Sequence, residues 1–306
     1  MIMKKTRGFV TIATGDKRYY MLAANLLASY KRQSDHPLPF AIIAEEENEY
    51  TRLFDTTVII DTPARSFMDK IKLPEYVPYD ENIFIDADCL VYQDINFLFD
   101  YFDKGIGLFS AIGEELPLDS DEGWFKKENI GEFADQIAYV AHLHGGMYFI
   151  RKDKEKADLF IQTCKKIITQ YSNYQFRIFE KPADEPVFAL VMAVHHLPMV
   201  PYQPDIMCFY PSAVSFDADI RIQRALFEVP WYTGVINGKI VHWANFNTNK
   251  AVYRREVDRL VQNASKTSEK RINAQYHLLK MKEDIEDGMK GFKIAIYSKL
   301  KKKTNH

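Results

Sequence analysis

The sequence predicts an α/β fold whose sheet is covered by helices on both faces. Two features carry that expectation. Continuous apolar runs recur through the first third, and segments with apolar residues at helical spacing separate them. A third supports it: 306 residues, 47% of them apolar, suffice to bury a large core in one or two domains.

The elements follow in chain order. "FVTIAT" at 9–14 is β-branched, is bounded by Gly15 and reads as the first strand. Tyr19, Leu22, Ala23, Leu26 and Tyr30 then fall on one helical face. "FAIIA" at 40–44, "TTVIID" at 56–61 and "NIFID" at 82–86 read as further strands. The acidic "EELPLDSDE" at 114–122, with Trp124, Phe125 and Phe133 behind it, reads as a loop or short-helix insertion over the sheet. "GGMYFIRK" at 145–152 returns to the sheet as a strand. An amphipathic helix is expected over 152–171, with Ala157, Phe160, Ile161, Cys164 and Ile168 on one face. A second is expected over 185–196, capped near Asp184 and stopped by Pro198. "KIVHWANF" at 239–246 reads as a late strand.

Beyond Lys250 the chain turns charged and helical, so a catalytic domain at 1–250 and a helical, basic tail at 251–306 are expected. The tail ends in "MKGFKIAIYSKLKKKTNH", where Phe292, Ile296 and Leu300 share a helical face among lysines. Such a helix either lies on an anionic membrane or packs its apolar residues on the catalytic domain.

Composition excludes several classes. A net charge of −2 gives no global field for nucleic acid. Three cysteines without a C-x-x-C pair argue against a disulfide framework or a structural zinc site. The apolar run behind the basic 1–7 is cut short at Gly15-Asp16-Lys17-Arg18, unlike a secretory core, and 187–194 is too short to span a bilayer. A cytoplasmic protein is expected. His195-His196 reads as structural.

The chemistry concentrates in "ENIFIDADCLVYQDI" at 81–95, which sets Asp86 and Asp88 one residue apart behind an apolar strand. If the strand continues through them, both carboxylates face one way and form a cation site. Hard oxygen donors favour Mg²⁺ or Mn²⁺, and open positions on the ion suit phosphate oxygens. The plainer reading is a solvated strand end.

The residues resemble family 8 glycosyltransferases, the group of glycogenin and bacterial lipopolysaccharide glucosyl- and galactosyltransferases. "FIDADCLVYQDINFLFD" resembles the metal motif and its following helix. Lys70, sixteen residues before Asp86, has the spacing of the donor-contacting lysine. "VTIATGDKRYY", "LHGGMYFI", "ADEPVFAL" and "KIVHWANFNTNK" resemble the remaining motifs in order across 8–250. The resemblance implies a GT-A, Rossmann-like nucleotide-diphospho-sugar transferase fold. It further implies a retaining, metal-dependent transfer of a hexose from a UDP-sugar to a glycan or lipid-linked acceptor.

Carried onto this chain, the resemblance implies metal ligation by Asp86, Asp88 and His242. It implies donor contacts at Ala13, Thr14, Tyr19, Lys70, Asp86, Ala87, His144, Gly145, Glu185, Asn245 and Lys250, with Asp184 as the catalytic acidic residue. Three places differ from the family pattern. His144-Gly145-Gly146 replaces asparagine-serine-glycine, Asp184-Glu185 replaces aspartate-glutamine, and Asn245 replaces a glycine, with Lys250 two positions late.

Each residue also has a plainer reading. Lys70 reads alone as a solvated helix residue, His242 as a hydrogen-bonded core histidine, Asp184 as an N-cap and Tyr19 as core. Two rival functions are a haloacid-dehalogenase-type phosphatase, which also uses D-x-D after a strand, and a nucleotide-sugar-binding protein without transfer activity. Cys89 abuts the acidic pair, which disfavours a nucleophilic thiolate.

Overall fold

The computed structural model describes the backbone at 5–102, 107–262 and 266–303, with side chains at those positions except 245, 266–267 and 287–303. The chain divides into two compact units, Met1–Cys208 with Gly238–His242, and Phe209–Asn237 with Trp243–His306.

In the first unit, β1 (Arg7–Ala13), β2 (Phe40–Ala44) and β3 (Thr56–Ile59) run parallel, and β4 (Glu81–Ile85) joins the other side of β1, also parallel. Beyond β4 the sheet turns mixed. β5 (Cys89–Val91) leaves it, and β6 (Phe109–Leu116), β7 (Val140–Arg151) and β8 (Met199–Val200) complete it. Among the described residues the order is β3-β2-β1-β4-β7-β6-β8, with β7 antiparallel to both neighbours. Phe40 through Ala44 are all fully buried, as a strand covered on both faces requires. Chain order reverses direction at β1, between β2 and β4, so the carboxyl ends of β1 and β4 flank a topological switch point.

Helix α1 (Lys17–Gln33) packs on β1 and β5. It starts where the Asp16 carboxylate accepts a hydrogen bond from the Arg18 amide, and Lys31 and Arg32 complement its C-terminal dipole. The 3₁₀ segment Phe67–Lys72 leads into α2 (Leu73–Tyr76), and α3 (Leu98–Phe102) follows β5. α4 (Lys154–Thr169) is capped by Asp153. It packs against α5 (Asp184–Val194), which lies on β7. Phe109, Tyr148, Phe160 and Phe188 form the aromatic centre of this packing, with ring centroids 4.8–5.5 Å apart in the pairs they make. β9 (Met207–Phe209) closes the first unit's small second sheet, described below.

The second unit holds a hairpin sheet of β10 (Ser215–Asp219), β11 (Arg224–Glu228) and β12 (Ile236–Asn237). It also holds α6 (Ala251–Val261) and α7 (Lys266–Lys303). Glu256 on α6 is fully buried. It accepts hydrogen bonds from the Ile220 amide at 2.8 Å and Arg259 at 2.8 Å, which satisfy its charge. Among the described residues no helix is long and apolar enough to cross a membrane.

Two expectations need correction. The late strand is short: β13 (Ile240–His242) ends before Trp243, and a 3₁₀ turn at Asn245–Asn249 follows Ala244 at φ 37°. The acidic stretch at 114–122 begins inside β6, whose Glu114 and Glu115 pair with β7 at its solvent-facing end.

Candidate active site

The D-x-D pair does not continue the strand. β4 ends at Ile85, and Asp86-Ala87-Asp88 is a turn closed by the Cys89 amide on the Asp86 carbonyl at 3.1 Å. Convergence of the two carboxylates comes instead from a small sheet of β5, β13 and β9. β13 pairs antiparallel with β5, setting His242 opposite Cys89. The His242 Nε2 then lies 3.2 Å from Asp88 Oδ1 and 3.7 Å from Asp86 Oδ2. His242 is therefore no isolated core histidine. Burial opposes charge on its ring, but Asp88 and then Asp86 hold its pKa above the ordinary value. Burial pushes the Asp86 carboxyl up; at Asp88 burial pushes the same way, but His242, with Lys70 behind it, moves the pKa down.

Lys70 is buried, not solvated. Its ammonium lies 2.8 Å from Asp86 Oδ1 and 2.9 Å from Asp184 Oδ2, and donates to the Gly145 carbonyl at 3.2 Å. Burial works against that charge, yet Asp184 and Asp86 hold the pKa above the ordinary lysine value. Asp184 is the first residue of α5 and does not cap it; the N-cap is Ala183, without a side-chain bond. Its carboxylate instead accepts from Lys70 and, at 3.3 Å, from the Tyr148 hydroxyl.

Two glycines make the approach possible. Pairing of β4 with β7 brings the Gly146 carbonyl to the Asp86 amide at 3.0 Å. A Cβ on Gly146 would lie 2.8 Å from His242 Nδ1, and one on Gly145 would lie 2.5 Å from Glu185 Cγ. Any side chain at either position would push His242 or Glu185 away. The Gly145 amide donates to Glu185 Oε1 at 2.7 Å. Burial, then the neighbouring Asp184, pushes the Glu185 carboxyl up to about 7. His144 accepts from the Gly146 amide through Nδ1 at 3.1 Å, and burial and His242 hold its pKa down at about 3. That bond leaves a neutral ring with its proton on Nε2.

A cavity of about 330 Å³ opens beside the D-x-D turn, at the carboxyl ends of β1 and β4. Its lining includes Thr14, Tyr19, Lys70, Asp86, Ala87 and Asp88. Ala13, before Thr14, is fully buried. Tyr19 is half exposed at the rim, and its neighbour Tyr20 takes the core position. Asn245 opens the 3₁₀ turn and Lys250 precedes α6, both within the second unit.

Sequence reasoning missed Asp69, Tyr148 and the aromatic rim at Phe67. Asp69 is buried and accepts from Thr14 Oγ1 at 2.7 Å and the Ala64 amide at 2.6 Å, fixing the loop above the cavity. An acid beside Lys70 in "FMDKIK" was the available signal.

No protein-family model matches the chain, and no curated protein matches it. The fold is similar to the crystal structure of the galactosyltransferase LgtC in complex with donor and acceptor sugar analogs. The TM-score is 0.52 at 14% identity, over 78% of this chain and 87% of that one. An active-site mutant of LgtC aligns over the same shares at TM-score 0.50 and 14% identity. The apo bifunctional glycosyltransferase WbbM aligns at TM-score 0.52 and 13% identity, over 90% of this chain and 52% of that one. The mixed sheet with its switch-point cavity is the GT-A fold.

Proposed function

We propose that the chain is a metal-dependent glycosyltransferase that moves a hexose from a UDP-sugar to a glycan or lipid-linked acceptor with retention of configuration. The observation that carries this reading is a charge imbalance beside the switch-point cavity. Asp86, Asp88, Asp184 and Glu185 face one lysine, Lys70, and one histidine, His242. Surplus buried negative charge suits a divalent cation and repels a bare diphosphate. A Mn²⁺ or Mg²⁺ ion held by the D-x-D turn and His242 would serve as a Lewis acid toward the donor diphosphate. The GT-A fold, and the donor analog bound by LgtC, support the choice of a sugar donor.

The protein groups have separable tasks. Lys70 supplies a fixed positive charge that Asp86 and Asp184 orient before substrate arrives. Asp184, at the N-terminus of α5, offers its second oxygen to donor-sugar hydroxyls. Thr14, Tyr19 and Ala87 border the volume for the nucleoside. Glu185, held by the Gly145 amide, sits where a carboxyl with a raised pKa can exchange a proton near neutrality.

The direct test is hydrolysis of a nucleotide-sugar panel with Mn²⁺ and with chelator. Mn²⁺-dependent release of UDP from one UDP-hexose is expected; no binding or hydrolysis of any nucleotide sugar overturns the reading.

We further propose that the enzyme works in the cytoplasm, peripherally bound to an anionic membrane through its tail. The apolar residues Phe292, Ile296 and Leu300 lie outside the described side chains. On the same helix Leu278, Met281 and Ile285 are exposed at i, i+3 and i+7, which supports an apolar stripe.

A further inference from the structure

The D-x-D motif suggests two oxygen donors completed by a histidine nitrogen, but the turn gathers a different set of donors. Asp86 is committed to Lys70, which bonds one carboxylate oxygen at 2.8 Å and the other at 2.9 Å. Among the described residues, the His, Cys, Asp and Glu side chains that could jointly hold a metal are Asp88, Cys89 and His242, with one donor atom from each within 4.8 Å of the others. Asp86 is not in that group. The cause is the strand register. Cys89 opens β5 directly opposite His242 on β13, and residues opposite one another in an antiparallel pair share a face with Cβ atoms about 4.5–5.5 Å apart. Asp88 precedes Cys89 and already contacts the His242 ring at 3.2 Å.

We propose that Asp88, Cys89 and His242 form a thiophilic cation site, so that Zn²⁺, Cd²⁺ or Co²⁺ binds there more tightly than Mn²⁺ or Mg²⁺. The donor set is one sulfur, one imidazole nitrogen and one carboxylate oxygen. Thiolate selects borderline and soft ions, and Mg²⁺ or Mn²⁺ gains little from it. Metal–donor lengths of about 2.0–2.3 Å put tetrahedral donors about 3.3–3.8 Å apart. Asp88 Oδ1 and His242 Nε2, 3.2 Å apart, are already at that spacing, so the closure needed on binding is at the Cys89 sulfur. The backbones that carry Cys89 and His242 are paired strands, so side-chain rotation supplies that closure. As the sulfur–metal bond forms, the Cys89 thiol proton passes to solvent. Three protein donors leave a fourth position, and Asp88 lines the cavity, so that position is open to water or a phosphate oxygen. Cys89 is then a ligand and not merely a small core residue. The inference rests on the reading that Asp88 and His242 hold a cation.

The test is titration of the full chain with Cd²⁺ and Co²⁺, followed by ultraviolet absorbance. One equivalent should develop a sulfur-to-metal charge-transfer band that Cys89→Ser removes. The double variant Cys164→Ser, Cys208→Ser leaves Cys89 as the sole thiol and should retain the band, a result that does not depend on the folding of Cys89→Ser. Calorimetry should show Zn²⁺ binding the wild type at least about tenfold more tightly than Mn²⁺, and the gap narrowing, through loss of Zn²⁺ affinity and not Mn²⁺ affinity, in Cys89→Ser. Absence of the band in the wild type or in the double variant overturns the proposal, as does its persistence in folded Cys89→Ser. Mn²⁺ binding measured by electron paramagnetic resonance separates the two readings. If Mn²⁺ binds and no thiolate band forms, Cys89 is excluded and the proposed function stands; if no cation binds, both fall.

Discussion

Replacing Lys70 by methionine should destabilise the protein by about 3–5 kcal/mol, the range for removing one partner of a buried ion pair. The reason is geometric. Lys70 is 7% exposed and its ammonium is shared by two buried carboxylates, Asp86 and Asp184, at 2.8 and 2.9 Å. Methionine refills the aliphatic volume, leaves Asp184 without its lysine and leaves Asp86 with only His242 at 3.7 Å, so lost packing contributes little. Melting temperature falls by about 2–4 °C per kcal/mol in domains of 150–250 residues, which puts the expected drop at about 6–20 °C. The loss carries a pH signature. Burial already raises the Asp86 carboxyl, and without Lys70 its folded-state pKa lies further above the unfolded one. The variant therefore regains stability as pH falls toward the unfolded carboxylate range, and loses it as pH rises. Thermal and urea unfolding at about pH 5 and about pH 7.5 reads both effects. Mn²⁺ should restore part of the lost stability, because a cation beside Asp86 replaces the missing charge. A loss under about 1 kcal/mol, the range of exposed pairs, would refute the buried network.

The parallel half of the sheet was legible because its inner strands β1, β2 and β4 are buried on both faces. "FAIIA" needs no partner information to be recognised, and β2 occupies the same five residues. The second unit's hairpin sheet was not legible, since "SFDAD" and "RALFE" mix apolar and charged residues and gain their pattern only from each other. At the site, residue identities were readable while their reasons were not. Alternation along a strand was the sequence argument for Asp86 and Asp88, yet a turn and the β5–β13 register bring them to His242. Lys70 and Asp184 lie 114 residues apart, and no local pattern announces that they meet. Nothing near Cys89 in sequence points to a ligand role, because its neighbour across the sheet, His242, is 153 positions away.

Asp88→Asn should abolish metal-dependent UDP binding while the fold persists, and unchanged Mn²⁺-dependent affinity by calorimetry would remove Asp88 from the site. Asp184→Asn keeps an acceptor for Lys70 but loses a charge. Turnover should fall by about a hundredfold, as misplacement of a substrate does, with UDP affinity nearly unchanged; equal losses in both would mark Asp184 as structural. Deleting 289–306 should abolish salt-sensitive binding to anionic vesicles without changing donor hydrolysis, and co-sedimentation unaffected by the deletion would sink the membrane proposal. Glu185→Gln isolates one titration. The Gly145 amide can donate to glutamine as to Glu185 Oε1, so the local bond survives the change. In the wild type the carboxyl sits at about 7 against an ordinary 4.5, because burial and Asp184 disfavour its charge. An acid whose folded pKa is raised contributes stability that is complete below 4.5 and is lost as pH rises through 7, a swing of about 3 kcal/mol. Glutamine has no such swing. The wild type should therefore lose stability relative to Glu185→Gln between about pH 4.5 and about pH 7.5 and hold a constant difference above that. Parallel stability curves across this window would show that Glu185 is charged at an ordinary pKa, and that it cannot exchange a proton near neutrality during transfer.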